Sequence, residues 1–444
     1  MDKKYFDILE KINNNGYEAY IVGGAVRDSI LNREIHDVDI TTSRMVDEIK
    51  DIFKDYKIVD LAEKFGTIVV VFDDFSTEIT TYRIEKDYDG RKPHSLVFSR
   101  NILDDLKRRD FTINALIMDK DGEIKDFFNG KEDMKASIIR AIGNPIERLN
   151  EDYLRILRAI RFASQLDFDI DEDLIFAIKE TKKGLEKISA ERIRDEFSKI
   201  LISDNPVKGL NYMMDLGIFD IIIPEISPMK DFDQETPFHN LDLWKHSLSV
   251  VKNSENDLEI RLAAIFHDIG KLYTKSYSKD SIAHYYNHQK VSRDLTEKIL
   301  KRLRYPNKVV ENVCNLANMH MDSMNEYSKK RVKRLLSKYG EEGVKKLFNL
   351  HRADMTSMNN QNGKIFSNLD KGEEYLSEIL ENEEVFDRNN IDINGNDLIN
   401  IGFKEGKIIG IILDDIEEKV LGEEIENSKA QIIEYVKGRY KYES

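Results

Sequence analysis

The feature that most constrains this chain is a short apolar run that ends in paired glycines and is soon followed by two aspartates one residue apart: AYIVGGAVRDSILNREIHDVDITTS, residues 19–43. The run reads as a strand. The glycines allow a tight turn into a helix whose first N–H groups face outward, which is a ready phosphate site at Gly24. Arg27, one turn in, can add a charged fork to that phosphate. Asp37 and Asp39 flank Val38, so on an extended segment both carboxylates point to the same face. Aspartate is a poor strand residue, and like charges this close are costly unless a cation lies between them. Oxygen donors of this kind suit Mg²⁺, which keeps waters and bridges to substrate phosphates. Glu78, on the alternating segment STEITTYR, is either a third carboxylate or part of a solvated strand face, and the solvated face is the simpler reading.

The pattern around this stretch predicts a mixed unit. A helix over 1–14, strands at EAYIV and 38–41, helices at 26–31 and MVDEIKDIF, and a hairpin from GTIVVVF and STEITTYRI follow from period and turn chemistry. IGNP closes the unit near residue 145. From about 150 the strand signals vanish, and amphipathic helices follow, one beginning after Asp171 and one with Ser189 as N-cap. PEISPMKDFDQETPFHN reads as a linker at about 224–238, and SMNNQNGKIFSN as a polar break. The expected fold is therefore α+β, with a mixed-sheet head over 1–145 and helical segments over 146–223, 239–357 and 358–444. A chain of 444 residues is too long for one core, in keeping with several domains.

GGAVRDSILNREIHDVDI resembles the signature of the polymerase-β-like nucleotidyltransferases, within them the bacterial class that includes CCA-adding tRNA nucleotidyltransferases and poly(A) polymerases. The likeness continues in order through DDLKRRDFTINALIMD, DFFNGKEDMKASIIRAIGNP, EDYLRILRAIRFA and ISAERIRDEFSKIL. In the third of these motifs Asn129-Gly130 stands where the family has two glycines. The resemblance implies a nucleotidyltransferase head with catalytic Asp37 and Asp39, and it assigns Arg109 to the triphosphate. It also implies a neck that selects nucleotides. Asp152, Arg155 and Arg158, spaced i, i+3, i+6, would share a helical stripe. Taken alone they are an ordinary Asp–Arg helix pair. In the family this helix is a protein template, and the chemistry suits cytosine and adenine. Each base carries an exocyclic amino donor for Asp152 and a ring acceptor for Arg155, whereas uracil and guanine would set a carbonyl against the carboxylate. Arg158 and Arg161 are expected to reach the triphosphate or primer. RIEKDYDGRKPHSLVFSR, with Lys86, Arg91 and Lys92 around a glycine, resembles the flexible loop that separates CCA-adding members from A-adding ones.

Seven of the nine histidines fall between 239 and 351. His246, the pair His267-Asp268 in FHDIGK, and Asp354 in HRADM resemble the ligand set of HD metal-dependent phosphohydrolases, with His288 and His320 available for a second ion. Imidazole with carboxylate suits Mn, Ni, Co or Fe. Past residue 390 the chain resembles the family's tail, with GFKEG as the implied contact to the tRNA elbow.

The net charge of −15 argues against a basic nucleic-acid coat, but not against a local basic groove. A single cysteine, Cys314, excludes an internal disulfide framework. The start lacks a signal-peptide core, and IIGIIL is too short to span a bilayer. The expectation is a cytoplasmic protein with no membrane partner, acting on the tRNA 3′ end with CTP and ATP. The sequence carries no signal for oligomeric state. It leaves open an A-adding enzyme or poly(A) polymerase, and also an HD phosphohydrolase whose head binds nucleotide without turnover.

Overall fold

The computed structural model describes residues 1–35, 37–62, 65–73, 75–88, 90, 93–236, 241–278, 282–324, 326–358, 363–382, 391–422 and 424–440. The chain divides into two compact units, Met1–Ser227 and Pro228–Ser444.

The first unit begins with helix α1 (Lys3–Asn13), strand β1 (Ala19–Val22), α2 (Gly24–Ile30), β2 (Asp39–Thr42), α3 (Val46–Ile52), β3 (Lys57–Ala62), β4 (Thr67–Val71) and β5 (Ser76–Thr81). A ribbon of β6 (Arg83–Tyr88) and β7 (Pro93–Phe98) follows, then α4 (Ile102–Lys107), β8 (Ile117–Met118) and β9 (Ile124–Lys125). The main sheet has the order β3-β4-β5-β2-β1-β8-β9. It is mixed, with β2 and β5 parallel and β1 antiparallel to both β2 and β8. Its core is a row of isoleucines in register. Ile21 pairs with Ile40, Ile40 with Ile79, and Ile79 with Ile68, all fully buried. Because side chains alternate along a strand, the adjacent row faces the other way. That row carries Asp39 beside Glu78, so the packing of the isoleucines fixes the face on which the carboxylates stand.

The remaining helices of this unit are α5 (Gly130–Lys135), α6 (Pro145–Glu151), α7 (Leu154–Leu166), α8 (Glu172–Thr181), α9 (Ala190–Leu201), α10 (Pro206–Asp215) and α11 (Phe219–Ile222), with a short parallel pair, β10 (Ile138–Ile139) and β11 (Asp169–Ile170). α8 begins after Asp171, as its spacing predicts. Ser189 is the N-cap residue of α9, although its side chain makes no capping bond.

The second unit contains α12 (Leu243–Asn253), α13 (Leu258–Phe266), α14 (Lys271–Thr274), the hairpin β12 (Lys275–Tyr277) and β13 (Ala283–Tyr285), α15 (His288–Arg302), α16 (Asn307–Met319) and α17 (Lys329–Thr356), which bends at Gly340. It continues with α18 (Gly363–Glu381), α19 (Gly395–Asn400), α20 (Lys407–Leu421) and α21 (Lys429–Arg439). The last three helices pack around their own core, which includes Leu398, Ile412, Ile416, Ile432 and Val436.

Three expectations need correction. β6 and β7 pair as a ribbon where a loop was expected, because backbone pairing such as Ile84 with Val97 holds an edge that lacks apolar periodicity. The side chains of Lys86, Arg91 and Lys92 lie outside the described residues. The β12–β13 hairpin interrupts a half expected to be all helical. Finally, Asp152 does not share a helical stripe with Arg155. It sits in an extended break between α6 and α7, with φ −146° and ψ 105°.

Candidate functional site

In the first unit, exposure alternates across Asp37, Val38 and Asp39, with only Val38 buried, so both aspartates face outward as the spacing predicts. Asp39 pairs in register with Glu78 on the neighbouring strand. Desolvation against the sheet raises the carboxyl of Asp39, and Asp37 adds to the rise while Arg109 opposes it. Glu78 is raised by desolvation first and then by Asp39 and Asp37. It stands exposed, as the solvated-face reading expects, and its register beside Asp39 also sets it in the same electrostatic cluster. Its signal was the strand register, and no local pattern carries that.

The glycine turn lies beside this cluster. Gly23 has φ 78°, and a Cβ built on it would stand 3.3 Å from Arg109 Nη1. Arg109 Nε is buried and has no hydrogen-bond partner among the described residues. That is an orphaned donor beside a turn of backbone amides, on a residue whose charge reaches Asp39. Arg27, by contrast, is engaged. Its fork grips Asp28 at 2.8 Å through both Nε and Nη2, and Nη1 donates to Asn114 at 2.8 Å. Asn114 in turn donates to Asp110, whose other oxygen accepts from Arg158 Nε at 2.8 Å. Burial would raise the Asp110 carboxyl, but Arg158 and these hydrogen bonds hold it well below the usual carboxylate range. Arg158 is thus tied to Asp110, and Arg161 to Glu196 at 2.8 Å.

Asp152 and Arg155 lie at the α6–α7 break. Asp152 accepts from Arg192 Nη2 at 2.7 Å and from the Leu154 N–H at 3.1 Å. Arg155, itself buried, donates to Glu151, to the Arg148 carbonyl and to the Arg108 carbonyl. Arg192 is a residue that sequence reasoning did not single out. It stands forty positions from its partner, beyond any helical spacing. The backbone around the break is also held in place. Gly90 accepts from the Tyr153 N–H at 3.0 Å, and the Tyr153 ring occupies the space that side chains at Gly90 and Gly184 would need.

In the second unit two buried trios meet: His246, His267 and Asp354, and Asp268, His288 and His320. Asp268 joins them. Its Oδ1 is 3.1 Å from His288 Nε2 and 3.5 Å from His320 Nε2, while Oδ2 is 3.2 Å from His267 Nε2. His246 Nε2 is 3.1 Å from Asp354. Three of the rings are oriented by carbonyls. The Nδ1 atoms of His267, His288 and His320 lie 2.9, 2.7 and 2.7 Å from the oxygens of Ala264, Tyr285 and Ala317. A carbonyl can only accept, so this places N–H on Nδ1, and the neutral ring then presents Nε2 as the lone pair that a metal ligand needs. Yet His288 Nε2 and His320 Nε2 are only 3.0 Å apart. Two lone pairs at that distance repel unless a proton or a cation lies between them. Lys271 closes the site with bonds of 2.7 Å to Asp268 and 2.8 Å to Gln234. His351 lies nearby but is oriented otherwise, between the Tyr327 hydroxyl and the Met319 carbonyl, and burial pushes it down to about 4.

Comparison with known proteins gives the family. The profile described as the Poly A polymerase head domain matches residues 19–140. The one described as a probable RNA and SrmB-binding site of polymerase A matches 167–230, and a putative tRNA nucleotidyltransferase domain 2 matches 278–436. The CCA-adding enzyme of Ligilactobacillus salivarius (strain UCC118) is 35% identical over 438 residues, spanning 98% of this chain and 96% of its own length. The chain belongs to the CCA-adding enzyme family. The CCA-adding enzyme of Streptococcus suis (strain 05ZYH33) is 34% identical over 97% of this chain and 95% of its own. The solved Bacillus stearothermophilus CCA-adding enzyme, in complex with CTP, superposes with a TM-score of 0.76 at 28% identity, covering 98% of this chain and 97% of that one. The family's chemistry is metal-dependent nucleotidyl transfer, and its α+β head followed by helical segments is the fold described above. Among the described residues no helix is long and apolar enough to cross a membrane.

Proposed function

We propose that the protein adds C, C and A, from CTP and ATP, to the 3′ end of tRNA in the cytoplasm, and that Asp37 and Asp39 are its catalytic carboxylates. The observation that carries this reading is the grouping of Asp37, Asp39 and Glu78 on one sheet face beside the glycine turn and the orphaned Arg109 donor. The donor set fits Mg²⁺, being all oxygen and mutually repelling. When bound, Mg²⁺ would activate the attacking hydroxyl and stabilise the leaving pyrophosphate. Asp37 and Asp39 would hold it, with Glu78 beside them. Gly24 leaves the turn open for a phosphate, and Arg109 meets the triphosphate with its free Nε. Arg27, Arg158 and Arg161 support this wall through Asp28, Asn114, Asp110 and Glu196, and can reach nucleotide only by leaving those partners. The primer hydroxyl attacks the α-phosphorus, and pyrophosphate departs. The lone buried Cys314 accords with a reducing compartment.

The direct test offers tRNA ending at the discriminator base with CTP alone, ATP alone and both. Two cytidines with CTP alone and a full CCA end with both are expected. A run of adenosines from ATP alone would identify an A-adding enzyme or poly(A) polymerase instead.

Asp152 and Arg155 are the base-reading pair in this proposal. Arg192 fixes the rotamer of Asp152, and the Arg108 carbonyl fixes that of Arg155. Uracil would set its carbonyl oxygen against an Asp152 oxygen, so that repulsion replaces the hydrogen bond that the amino group of cytosine donates. Asp152→Ala is therefore expected to slow CTP incorporation and to lower the CTP-to-UTP ratio of kcat/KM by about tenfold or more. An unchanged ratio would return Asp152 to a plain partner of Arg192.

A second activity is supported by the histidine-rich centre of the other unit. His246, His267, Asp268 and Asp354, with His288 and His320, form a mixed imidazole and carboxylate set that suits Mn, Ni, Co or Fe. Two imidazole nitrogens bound at right angles, each about 2.1 Å from one ion, would stand about 3.0 Å apart, which is the separation His288 and His320 already have. His267 Nε2 and Asp354 Oδ1 are buried without hydrogen bonds of good geometry among the described residues. We read this centre as a phosphoesterase site independent of the head.

A further inference from the structure

Among the described residues, Arg109 has a buried Nε left unbonded next to the carboxylate face, and what keeps it there is on the preceding helix. Asp105, on α4, is fully buried. Its Oδ2 accepts from Arg109 Nη2 at 3.2 Å. Its Oδ1 accepts from Arg108 Nε at 3.0 Å and Nη2 at 2.7 Å. Burial disfavours the Asp105 charge, but Arg108 and Arg109 more than offset it and hold the carboxyl below its ordinary value. Arg108 is braced from the ribbon as well. Glu85 on β6 lies 3.3 Å from Arg108 Nη1 and 2.7 Å from Arg83 Nε. The Arg108 carbonyl receives Arg155 Nη2 at 2.9 Å. One buried carboxylate is therefore shared between the residue that backs the base-reading arm and the residue that faces the carboxylate cluster.

The consequence follows from where Arg109 would go without that anchor. Asp39 already feels its charge, and Asp37 and Glu78 lie in the same cluster. A guanidinium on a flexible stem, released beside these groups, pairs with the nearest anion. It would then cover the carboxylates and turn its fork away from an incoming anion. We propose that Asp105 is a positioning residue for nucleotidyl transfer, holding Arg109 off the carboxylate face and presented to the nucleotide triphosphate. The proposal rests on the reading that Arg109 meets the triphosphate.

The test measures dissociation constants for CTP and ATP by calorimetric titration of the full chain, alongside kcat on tRNA. Asp105→Asn is expected to weaken both nucleotides by a similar factor, about tenfold, with the preference for CTP over UTP kept and kcat at saturation within about threefold. Asp105→Glu keeps the charge on a stem one methylene longer and is expected to weaken binding by about threefold. It decides the matter if the Asn variant does not fold. Arg109→Ala is the reference, and adding Asp105→Asn to it should weaken binding no further, since the two act as one unit. If Arg109→Ala binds CTP like the parent, the reading of Arg109 is wrong and the proposal falls with it. If Arg109→Ala weakens CTP while both Asp105 variants bind normally, the proposal alone is overturned. A kcat loss at unchanged affinity overturns it too, because that pattern marks a smaller folded fraction rather than a displaced arginine.

Discussion

Asp39→Asn is expected to reduce nucleotide addition by a thousandfold or more while leaving the protein folded and at least as stable as the parent. The size follows from the role. A carboxylate that helps hold the reacting phosphate's cation contributes about 4 kcal/mol of transition-state stabilisation, which corresponds to about three orders of magnitude in rate. The stability follows from the direction of its pKa. Desolvation and Asp37 raise Asp39 above its ordinary value. A carboxyl raised in the folded state is worse off ionised there than in the unfolded chain. Its ionisation therefore lowers stability as pH climbs from the unfolded value through the folded one. Asparagine removes the charge and with it the repulsion toward Asp37 and Glu78. Asp37→Asn is expected to lose activity to a similar degree. Thermal melting without added metal and primer extension with CTP read the two effects separately. Near-normal extension by both variants would mean that these carboxylates hold nothing needed for catalysis. A variant that melts far below the parent would mean that Asp39 is part of the core, against its place on the outward row of the sheet.

The head was legible because its signals are local. Paired glycines at a strand end, a DVD alternation and the GTIVVVF and STEITTYRI hairpin each depend on period and turn chemistry within about ten residues. The elements the sequence hid are those whose partners are distant. Glu78 came to stand beside Asp39 through parallel pairing of β5 with β2, which periodicity along one strand cannot reveal. Asp152 left the helical stripe because Asn144 and Pro145 start a separate helix that ends at Glu151. The intervening residues are pinned from outside, by Gly90 at the Tyr153 backbone and Arg192 at the Asp152 carboxylate. The β6–β7 ribbon has too few apolar residues to advertise itself, and backbone pairing with one apolar row suffices to form it. The histidine centre was legible for the opposite reason. The adjacent His267-Asp268 pair, with His246 upstream and Asp354 downstream, marked the set by its resemblance to a known ligand pattern, and the structure adds that these side chains are buried, which is costly unless something binds them.

Purified without chelator, the protein is expected to carry two transition-metal ions per chain in its second unit, and the way they are lost should depend on which ligand is removed. Asp268 is the reason. One of its oxygens faces His288 and His320, and the other faces His267, with His246 and Asp354 completing that side. Asp268→Ala should abolish both ions. His320→Ala belongs to one trio only and should leave a single ion. Chelation should also lower the melting temperature of this unit. An ion present at about a hundred times its dissociation constant stabilises the folded state by about 2.7 kcal/mol, which for a unit of this size is about 5–10 °C. The effect has a structural cause, because removing the ions leaves the Nε2 atoms of His288 and His320 facing each other at 3.0 Å without the cation that would draw them together. With added Ni²⁺, Mn²⁺ or Co²⁺, slow hydrolysis of a phosphoester such as a 2′,3′-cyclic nucleotide is expected. His267→Ala should remove it while tRNA extension continues, and Asp39→Asn should do the reverse. Elemental analysis of the parent, Asp268→Ala and His320→Ala decides the arrangement. Loss of all metal from His320→Ala would mean one shared ion in place of two bridged ones. Metal with no turnover on any phosphoester would make the centre a brace for the helices that carry it. No metal in the parent would mean that these buried histidines and aspartates do not form a metal centre.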